Sequence, residues 1–400
     1  MQTGTAHLFI PGPTNVPEDV RRAMAVPMQD HRAPEFAAFL RPILQDLKPL
    51  FGTESGQIVL FPGSGTGAWE AAIANTLSPG DKVLMARHGM FSSLWVQMAE
   101  RLGLEVEVID LAWGAPCPVF EIGRRLGCDR HGEIKAVFVT HNETATGVVS
   151  DVAAVRHMLD TSFHDALLFV DGVSSIGSIP FEMDAWGVDL AITGSQKGLM
   201  CPAGLGILAI SDRALAAARD NRMRRSYFDL AEMLAAHEAG SFPYTPPAPL
   251  LHGMRAALDR IAAEGLDQVF ARHARLAQGV RAAVAAWGLQ TVAEHPHHAS
   301  DTVTAIRTPR GVDAREVIRI ARERFNTWLG AGLGPLTGRA FRIGHLGDLN
   351  EGMCLGALAV TELALDAAGV PVRRGAGVAA AQDVYAPGAG HPAPLSIAAE

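Results

Sequence analysis

The chain has 400 residues, of which 48% are hydrophobic and 19% charged, so it can bury a large core and is not a disordered protein. Its formal net charge of -8 gives no basic face for nucleic acid. The first residues, MQTGTAHLFIPGP, lack the pattern of a signal peptide, and no apolar run is long enough to span a membrane. We therefore expect a cytoplasmic protein with neither a nucleic-acid nor a membrane partner. The four cysteines form no C-x-x-C pair, and we expect no metal site.

From residue 56 to about 210, short apolar runs alternate with helical patterns, which predicts βα units around a mainly parallel sheet. The segment DVAAVRHMLD is a helix candidate that begins at Asp151, a favourable N-cap residue. We predict an N-terminal arm (1–20), a large domain (21–260) and a small α+β domain (261–373). The Ala-, Gly- and Pro-rich segment 374–400 is expected to be a mobile tail.

A glycine-rich stretch, GSGTGAWE (63–70), follows the apolar run QIVLFP. Ser64 and Thr66 hydroxyls beside the N–H groups of a helix start indicate an anion site. Gly63, Gly65 and Ala68 also fit G-x-G-x-x-A, which is typical of a dinucleotide site, but the next strand ends in Arg87 and His88 rather than an acidic residue. A purely structural turn between strand and helix is a third interpretation.

Two charged residues stand at the ends of later apolar runs. Asp171 closes ALLFVD, and Lys197 follows VDLAIT between Gly194 and Gly198. Lysine is rare here, with four among the 34 basic residues, and a buried ammonium is costly unless it is paired or neutralised. An anion site, a buried aspartate and a buried lysine together match the needs of pyridoxal phosphate (PLP): phosphate binding, a partner for the pyridine nitrogen, and a Schiff base.

The ordered set of motifs resembles a known family. FIPGPTNVP, PGSGTGAWEAA, THNETATGV, FVDGVSSIG, TGSQKG and FRIGHLG are similar to segments of class V aminotransferases of PLP fold type I, in the serine-glyoxylate and alanine-glyoxylate (or aspartate-glyoxylate) group. The resemblance covers about residues 8 to 375. It implies a large domain with a mainly parallel seven-stranded sheet and a smaller α+β C-terminal domain.

The resemblance also implies roles for residues of the cofactor site. Lys197 matches the Schiff-base lysine, which later moves a proton between the substrate α-carbon and the cofactor. Asp171 matches the partner of the pyridinium nitrogen, and Val173 packs under the ring. The phosphate is implied to lie against Ser64, Gly65 and Thr66, supported by Gln196.

Further roles concern the ring, the substrate and a second subunit. Phe91 matches the aromatic residue that stacks on the pyridine, although a core position is its ordinary alternative. Thr144 matches a hydroxyl that contacts the ring, and Arg342 matches the arginine that binds the substrate carboxylate in bidentate fashion. Tyr244 and Thr245 match residues that approach the phosphate of the neighbouring subunit, which implies a homodimer with shared active sites.

The predicted reaction is transfer of an amino group from serine, aspartate or alanine to glyoxylate, giving glycine by a ping-pong mechanism. A dicarboxylate donor needs a second cation, for which the candidates are Arg22, Arg32, His31 and His345. The alternatives are another class V enzyme, such as a small-acid or phosphonate transaminase, and an NADP-dependent oxidoreductase using Arg87. A cysteine desulfurase needs a nucleophilic cysteine on a mobile loop. This alternative ranks low, because Cys354 lies in a helical pattern and Cys201 lies only four residues past Lys197.

Overall fold

The computed structural model describes residues 6–386, which form an α/β protein with three sheets. Most strands belong to one large and one smaller sheet, and two short strands form a hairpin. The strands are β1 (His7–Phe9), β2 (Gln57–Pro62), β3 (Lys82–Arg87), β4 (Glu105–Asp110), β5 (Ile134–Thr140), β6 (Asn142–Glu143), β7 (Val148–Val149), β8 (Leu167–Asp171), β9 (Leu190–Gly194), β10 (Leu205–Ile210), β11 (Gln290–Thr291), β12 (Val303–Arg307), β13 (Thr327–Ala331) and β14 (Ala340–Gly344).

Helices connect and cover the strands. In chain order they are α1 (Glu18–Ala23), α2 (Pro34–Leu47), α3 (Gly65–Thr76), α4 (Met90–Arg101), α5 (Val119–Cys128), α6 (Val152–Thr161), α7 (Asp212–Arg219), α8 (Leu230–Glu238), α9 (Ala248–Glu264), α10 (Leu266–Ala286), α11 (Ala314–Phe325), α12 (Glu351–Ala367) and α13 (Ala376–Tyr385). Asp151 caps α6 by accepting a hydrogen bond from Ala154 N, which confirms the predicted helix start. Within residues 6–386, none of these helices combines the length and the apolar character that crossing a bilayer requires.

The large sheet has seven strands in the order β2-β10-β9-β8-β5-β3-β4. The pairs from β9 through β4 are parallel, and β10 runs antiparallel to both of its neighbours. Strands β8, β9 and β10 are buried along their whole length, as expected when helices cover both faces of a sheet. The prediction of a mainly parallel seven-stranded sheet is confirmed.

The smaller sheet has five strands in the order β1-β13-β14-β12-β11. Its first strand comes from the N-terminal arm, because β1 pairs in parallel with β13. One apolar core includes residues from Val20 to Val269, and a second includes Phe9 together with residues from Leu276 to Ala381. Helix α10 contributes to both cores, while the predicted boundary at residue 260 stays a prediction.

The C-terminal segment differs from its prediction as a mobile tail. Residues Ala376–Tyr385 form α13, with Ala381 buried, and Tyr385 Oη donates to Leu276 O at 3.0 Å. Glu362 holds the start of this helix by accepting from Gly375 N and Gly377 N. The prediction of a mobile tail rested on composition alone, but small residues also allow helices to pack closely. Tertiary contacts can outweigh the local conformational preference of a segment. The remainder of the predicted tail, 387–400, lies outside the described residues.

Candidate active site

Three neighbouring strands end at one edge of the large sheet and bring polar groups together. Thr140, the last residue of β5, pairs with Asp171 at the end of β8, and Asp171 pairs with Ile192 in β9. Lys197 follows β9 in the turn after Gly194. Because the carboxyl ends of parallel strands meet at one edge, this sequence order places Asp171 and Lys197 at the same edge of the sheet.

Asp171 is a buried carboxyl group with 4% of its surface exposed. It accepts a hydrogen bond from Val173 N at 2.9 Å. Burial raises the pKa of Asp171 to about 7, with the Val173 N–H and the nearby Lys197 opposing that rise. A cationic ring nitrogen beside this carboxyl group would favour its ionised form.

Lys197 is also buried, with 9% of its surface exposed. Its Nζ donates to the backbone carbonyl of Pro11 at 2.6 Å. Burial, with the charge of Arg342 second, lowers the pKa of Lys197 to about 8, and Asp171 opposes the change. Lys197 therefore interacts electrostatically with both of the other predicted charged residues, Asp171 and Arg342.

The N-terminal segment Pro11–Thr14 covers Lys197. Thr14 N donates to Gln196 O at 3.1 Å, and Thr14 Oγ1 donates to Lys197 O at 3.2 Å. Gly12 has φ +116°, and a Cβ at this position would lie 2.5 Å from Lys197 Nζ, so only glycine suits the site. Sequence reasoning noticed FIPGPTNVP only as a family motif and missed the Pro11 carbonyl, because a backbone acceptor has no sequence signal.

The predicted anion site is the first turn of α3. Ser64 caps this helix by accepting from Gly67 N at 3.3 Å, and the first N–H groups of any helix lack intrahelical acceptors. Val173 packs against the helix start, since a Cβ on Gly65 would lie 2.6 Å from its Cγ2. Thr66 is exposed. The loop after Asp171 and the anion site are therefore adjacent.

Unpartnered polar atoms collect at this same edge. Gln196 Oε1, Thr140 Oγ1 and Asn142 Oδ1 are buried without a hydrogen-bond partner within the described range 6–386. Buried acceptors and hydroxyls are normally satisfied, so such atoms at one edge suit a polar ligand. This observation supports the predicted place of Gln196.

Phe91 and Thr144 flank the edge from two other elements. Phe91 is half-buried in the first turn of α4. Thr144 is buried in the turn between β6 and β7, where its Oγ1 donates to Ser174 Oγ at 2.7 Å. Their predicted contacts with a ring stay predictions.

Arg342 reaches the site from β14, the central strand of the five-stranded sheet. It is buried, its Nε donates to Ala331 O at 2.8 Å, and its Nη1 donates to Thr144 O at 3.0 Å. Burial lowers the pKa of Arg342 to about 10, with Glu143 opposing that change. Nη2 is the guanidinium nitrogen outside these two contacts. The five-stranded sheet therefore contacts the turn between β6 and β7 through the predicted substrate residue.

Tyr244 packs against Tyr227, near the glycine-rich turn. The Tyr244 ring stacks on Tyr227 at a centroid distance of 4.3 Å, and its hydroxyl donates to Tyr227 O at 2.8 Å. Tyr227 Oη donates to Pro62 O at 3.3 Å, next to the glycine-rich turn. Thr245 is exposed. Sequence reasoning missed Tyr227, whose signal was only an aromatic pair, Tyr227 and Phe228, near the turn.

Of the four candidates for a second cation, two have partners, one is exposed and one is half-buried. Arg22 pairs with Glu18 at 2.8 Å on the surface, and Arg32 is exposed. Burial lowers the pKa of His345 to about 3, and its Nε2 bonds Thr304 Oγ1 at 2.9 Å, so this imidazole is neutral. His31 is half-buried beside Phe36.

The alternative chemistries have weak structural support. Arg87, the candidate for binding an NADP phosphate, forms a two-point ion pair with Asp110 at 2.5 and 2.8 Å. Burial raises the pKa of both Cys201 and Cys354 to about 12, which disfavours the thiolate that a desulfurase needs.

Comparison with known proteins identifies the family. The model of the aminotransferase class-V family matches residues 8–334. Serine–glyoxylate aminotransferase of Hyphomicrobium methylovorum is 54% identical over 96% of this chain and 95% of its own length. L-aspartate–glyoxylate aminotransferase of Paracoccus denitrificans is 51% identical over 94% of this chain and 96% of its own. The crystal structure of ureidoglycine-glyoxylate aminotransferase from Bacillus subtilis has a TM-score of 0.88 and 27% identity, and the match covers 96% of this chain and 99% of that one. The chain belongs to the class-V aminotransferase family.

Proposed function

We propose that this protein is a PLP-dependent aminotransferase that transfers an amino group from a small L-amino acid to glyoxylate, forming glycine in a ping-pong cycle. The observation that carries the proposal is the buried Lys197 beside Asp171 at one sheet edge, with Arg342 entering from the other sheet. Three relatives named for serine–glyoxylate or aspartate–glyoxylate transfer are 51–54% identical to this chain over the matched residues. Their names support glyoxylate as the acceptor.

The residues present fit PLP. The first turn of α3 offers N–H groups and the Ser64, Gly65 and Thr66 positions to a phosphate. Asp171 offers a carboxylate to a ring nitrogen, and buried Gln196 Oε1 and Thr140 Oγ1 lack partners in the described chain. Phe91, Thr144 and Val173 are the candidates for contact with the ring.

When bound, PLP would supply a conjugated, protonated ring that accepts the electron pair left when the substrate α-proton departs. Lys197 Nζ is the base that takes this proton. Burial lowers its pKa to about 8, so a useful fraction of the amine is neutral near pH 7 to 8. The Pro11 carbonyl, 2.6 Å from Nζ, holds the free amine in place between proton transfers.

Arg342 is proposed to bind the carboxylate of both donor and acceptor. Amino acids and glyoxylate share this group, so one arginine serves both half-reactions. Its Nε and Nη1 are held by Ala331 O and Thr144 O, which orients the guanidinium before the substrate arrives. Preorganisation of this kind lowers the entropy lost on binding.

The donor is serine, aspartate or alanine, and an aspartate donor would need a second cation at the site. Arg22 is paired at the surface and His345 is neutral, so neither offers a second cation for aspartate. Arg32 is exposed, and His31 is half-buried with its Nε2 unpartnered in the described chain, so aspartate stays a candidate donor beside serine and alanine. A small-acid or phosphonate transaminase is the second candidate within the family.

We also propose a homodimer in which Tyr244 and Thr245 of each protomer approach the phosphate of the other. The exposure of Thr245 and Thr66 supports this arrangement, since both groups are available to a second copy. Location in the cytoplasm stays a prediction from the sequence.

The proposal is tested in two steps. The purified protein is first expected to show the visible absorbance of bound PLP, and borohydride reduction is expected to attach the cofactor to the peptide that contains Lys197. Glyoxylate is then supplied with serine, alanine or aspartate, and glycine formation is measured. Absence of the chromophore would remove the cofactor assignment, whereas a chromophore without glycine formation would remove only the substrate assignment.

A further inference from the structure

Glu143 is a fully buried acidic residue that the roles above do not use. It is the last residue of β6 and has no exposed surface. A buried carboxylate is costly unless hydrogen bonds satisfy it. Its hydrogen-bond partners therefore indicate its role in the fold.

The carboxylate joins the start of α4 to the hairpin turn. Glu143 Oε2 accepts from Ser92 N at 2.9 Å and from Ser92 Oγ at 3.1 Å. Glu143 Oε1 accepts from Phe91 N at 3.3 Å and from Ala145 N at 3.1 Å. A negative charge at a helix N-terminus is also favoured by the helix dipole. One side chain thus fixes the backbone on both sides of the site.

Each end of this connection carries a predicted active-site residue. Phe91 is the candidate for stacking on the cofactor ring, and its own backbone N–H is bound by Glu143. Thr144 is the next residue in the chain, and its carbonyl accepts from Arg342 Nη1 at 3.0 Å. The charge of Glu143 also acts on Arg342, where it opposes the lowering of the pKa by burial.

Gly89 packs directly against the Glu143 side chain. Its φ is -173°, an extended conformation open to any residue. A Cβ at Gly89, however, would lie 2.2 Å from both Cγ and Cδ of Glu143. A larger residue would push the carboxyl group off its N–H partners.

We infer that Glu143 is a positioning residue of the active site, which holds Phe91 against the cofactor ring and the Thr144 carbonyl against Arg342. This inference rests on the proposed PLP-dependent function. Glu143 acts through these two residues rather than by touching the substrate.

Glu362 provides a matched control. It too is a buried glutamate, and it accepts from Gly375 N, Gly377 N and Trp287 Nε1 near the start of α13. It therefore anchors the backbone in the same way, among residues of the second apolar core. A purely structural role for Glu143 predicts that the two glutamates respond alike.

The test compares Glu143→Gln and Glu362→Gln in the full-length protein. Glutamine keeps the shape, but its amide nitrogen cannot accept from a backbone N–H, and the charge is lost. The dissociation constant for PLP, the visible circular dichroism of the bound cofactor, and KM and kcat are measured. For Glu143→Gln we expect the dissociation constant for PLP and the KM for the amino donor each to rise about 10-fold. The visible dichroism of the bound cofactor should decrease. Glu362→Gln is expected to lower the melting temperature while PLP binding stays within about twofold of the parent.

The outcomes separate the inference from the function on which it rests. A parent protein that fails to bind PLP refutes the proposed function. A parent that binds PLP, together with a Glu143→Gln variant that matches Glu362→Gln in cofactor affinity, dichroism and KM, overturns the positioning role. Gly89→Ala is the second variant should Glu143→Gln not fold, because it displaces the carboxylate without removing its charge. It is expected to shift the same three measurements in the same direction, and unchanged values overturn the inference.

Discussion

The two main sheets contribute to the site in different ways. The seven-stranded sheet supplies it from strand ends, with Asp171 closing β8 and Lys197 in the turn after β9. The five-stranded sheet supplies Arg342 from the middle of β14, where it pairs with Ala305 and Gly330. Strand ends leave space and backbone groups for a bulky ligand, whereas a mid-strand side chain has one fixed direction.

This difference separates two tasks. The residues at the large sheet's edge are expected to decide whether the cofactor is held and activated, for every substrate alike. Arg342 is expected to decide how tightly a carboxylate substrate binds. Its bond to the Thr144 carbonyl, at 3.0 Å, connects the two parts of the site. Variants on the two sheets should therefore change different kinetic constants.

The largest effect is expected from Lys197→Ala, which removes the base. The rate of glycine formation should fall by about 10⁴-fold, the upper range for loss of general acid–base catalysis. Lys135→Ala is the matched control, since Lys135 is exposed and its Nζ donates to Gly132 O. Steady-state assays at saturating donor measure both. Retention of more than a tenth of the parent rate by Lys197→Ala would falsify the role of this amine.

A smaller loss is expected from Asp171→Asn. The amide oxygen can still accept from Val173 N, which lies 2.9 Å from the carboxylate, but the negative charge beside the ring nitrogen is gone. Loss of a charged hydrogen bond corresponds to about 100-fold in kcat/KM. The reduction should be equal for serine, alanine and aspartate. A loss confined to one donor would instead place Asp171 in substrate selection.

The contrast between the sheets also explains what the sequence could predict. Asp171 and Lys197 follow apolar runs, and parallel strands place their carboxyl ends at one edge, so local pattern was enough to bring them together. The alternation of apolar runs and helical patterns predicted the mainly parallel sheet, and the family resemblance implied its seven strands.

Other features required the tertiary structure. The Pro11 carbonyl is a backbone group that reaches Lys197 across 186 residues of sequence. Glu143 looks like an ordinary polar residue of a turn, and only packing shows that it is fully buried. The helix 376–385 was missed because its anchor, Glu362, lies in a preceding helix. The motif around Arg342 pointed to its role only through the family resemblance.

Arg342→Lys tests the other sheet. Lysine keeps the charge but cannot form the fixed, two-point contact of a guanidinium with a carboxylate. We expect KM to rise about 10-fold for donor and glyoxylate alike, with PLP affinity unchanged. Titration of PLP into the apoprotein, alongside initial-rate kinetics, distinguishes this from the Asp171→Asn result. Weakened PLP binding would mean that the two sheets do not divide the tasks as described.

The smallest effect concerns the stability of the strand that carries Arg342. His345 directly follows β14, and its buried imidazole bonds Asp301 O at 3.0 Å and Thr304 Oγ1 at 2.9 Å. Burial lowers its pKa in the folded state to about 3, whereas an unfolded histidine has a pKa of about 6.5. Below pH 6.5 His345 binds a proton in the unfolded chain but stays neutral in the folded chain. The contribution to stability is therefore full above pH 6.5 and declines as the pH falls towards 3.

Between pH 6.5 and pH 5 this single histidine should reduce the free energy of unfolding by about 2 kcal/mol. His345→Gln removes the titrating group, so its denaturant midpoint should fall less over that interval than the parent's. His131→Gln is the control, because His131 is exposed. Equal pH dependence in the His345→Gln variant and the parent would show that the imidazole binds a proton equally well in the folded and unfolded states. In that case acid would not loosen β14 through His345, and the loss of stability at low pH would have to arise from other groups of the chain.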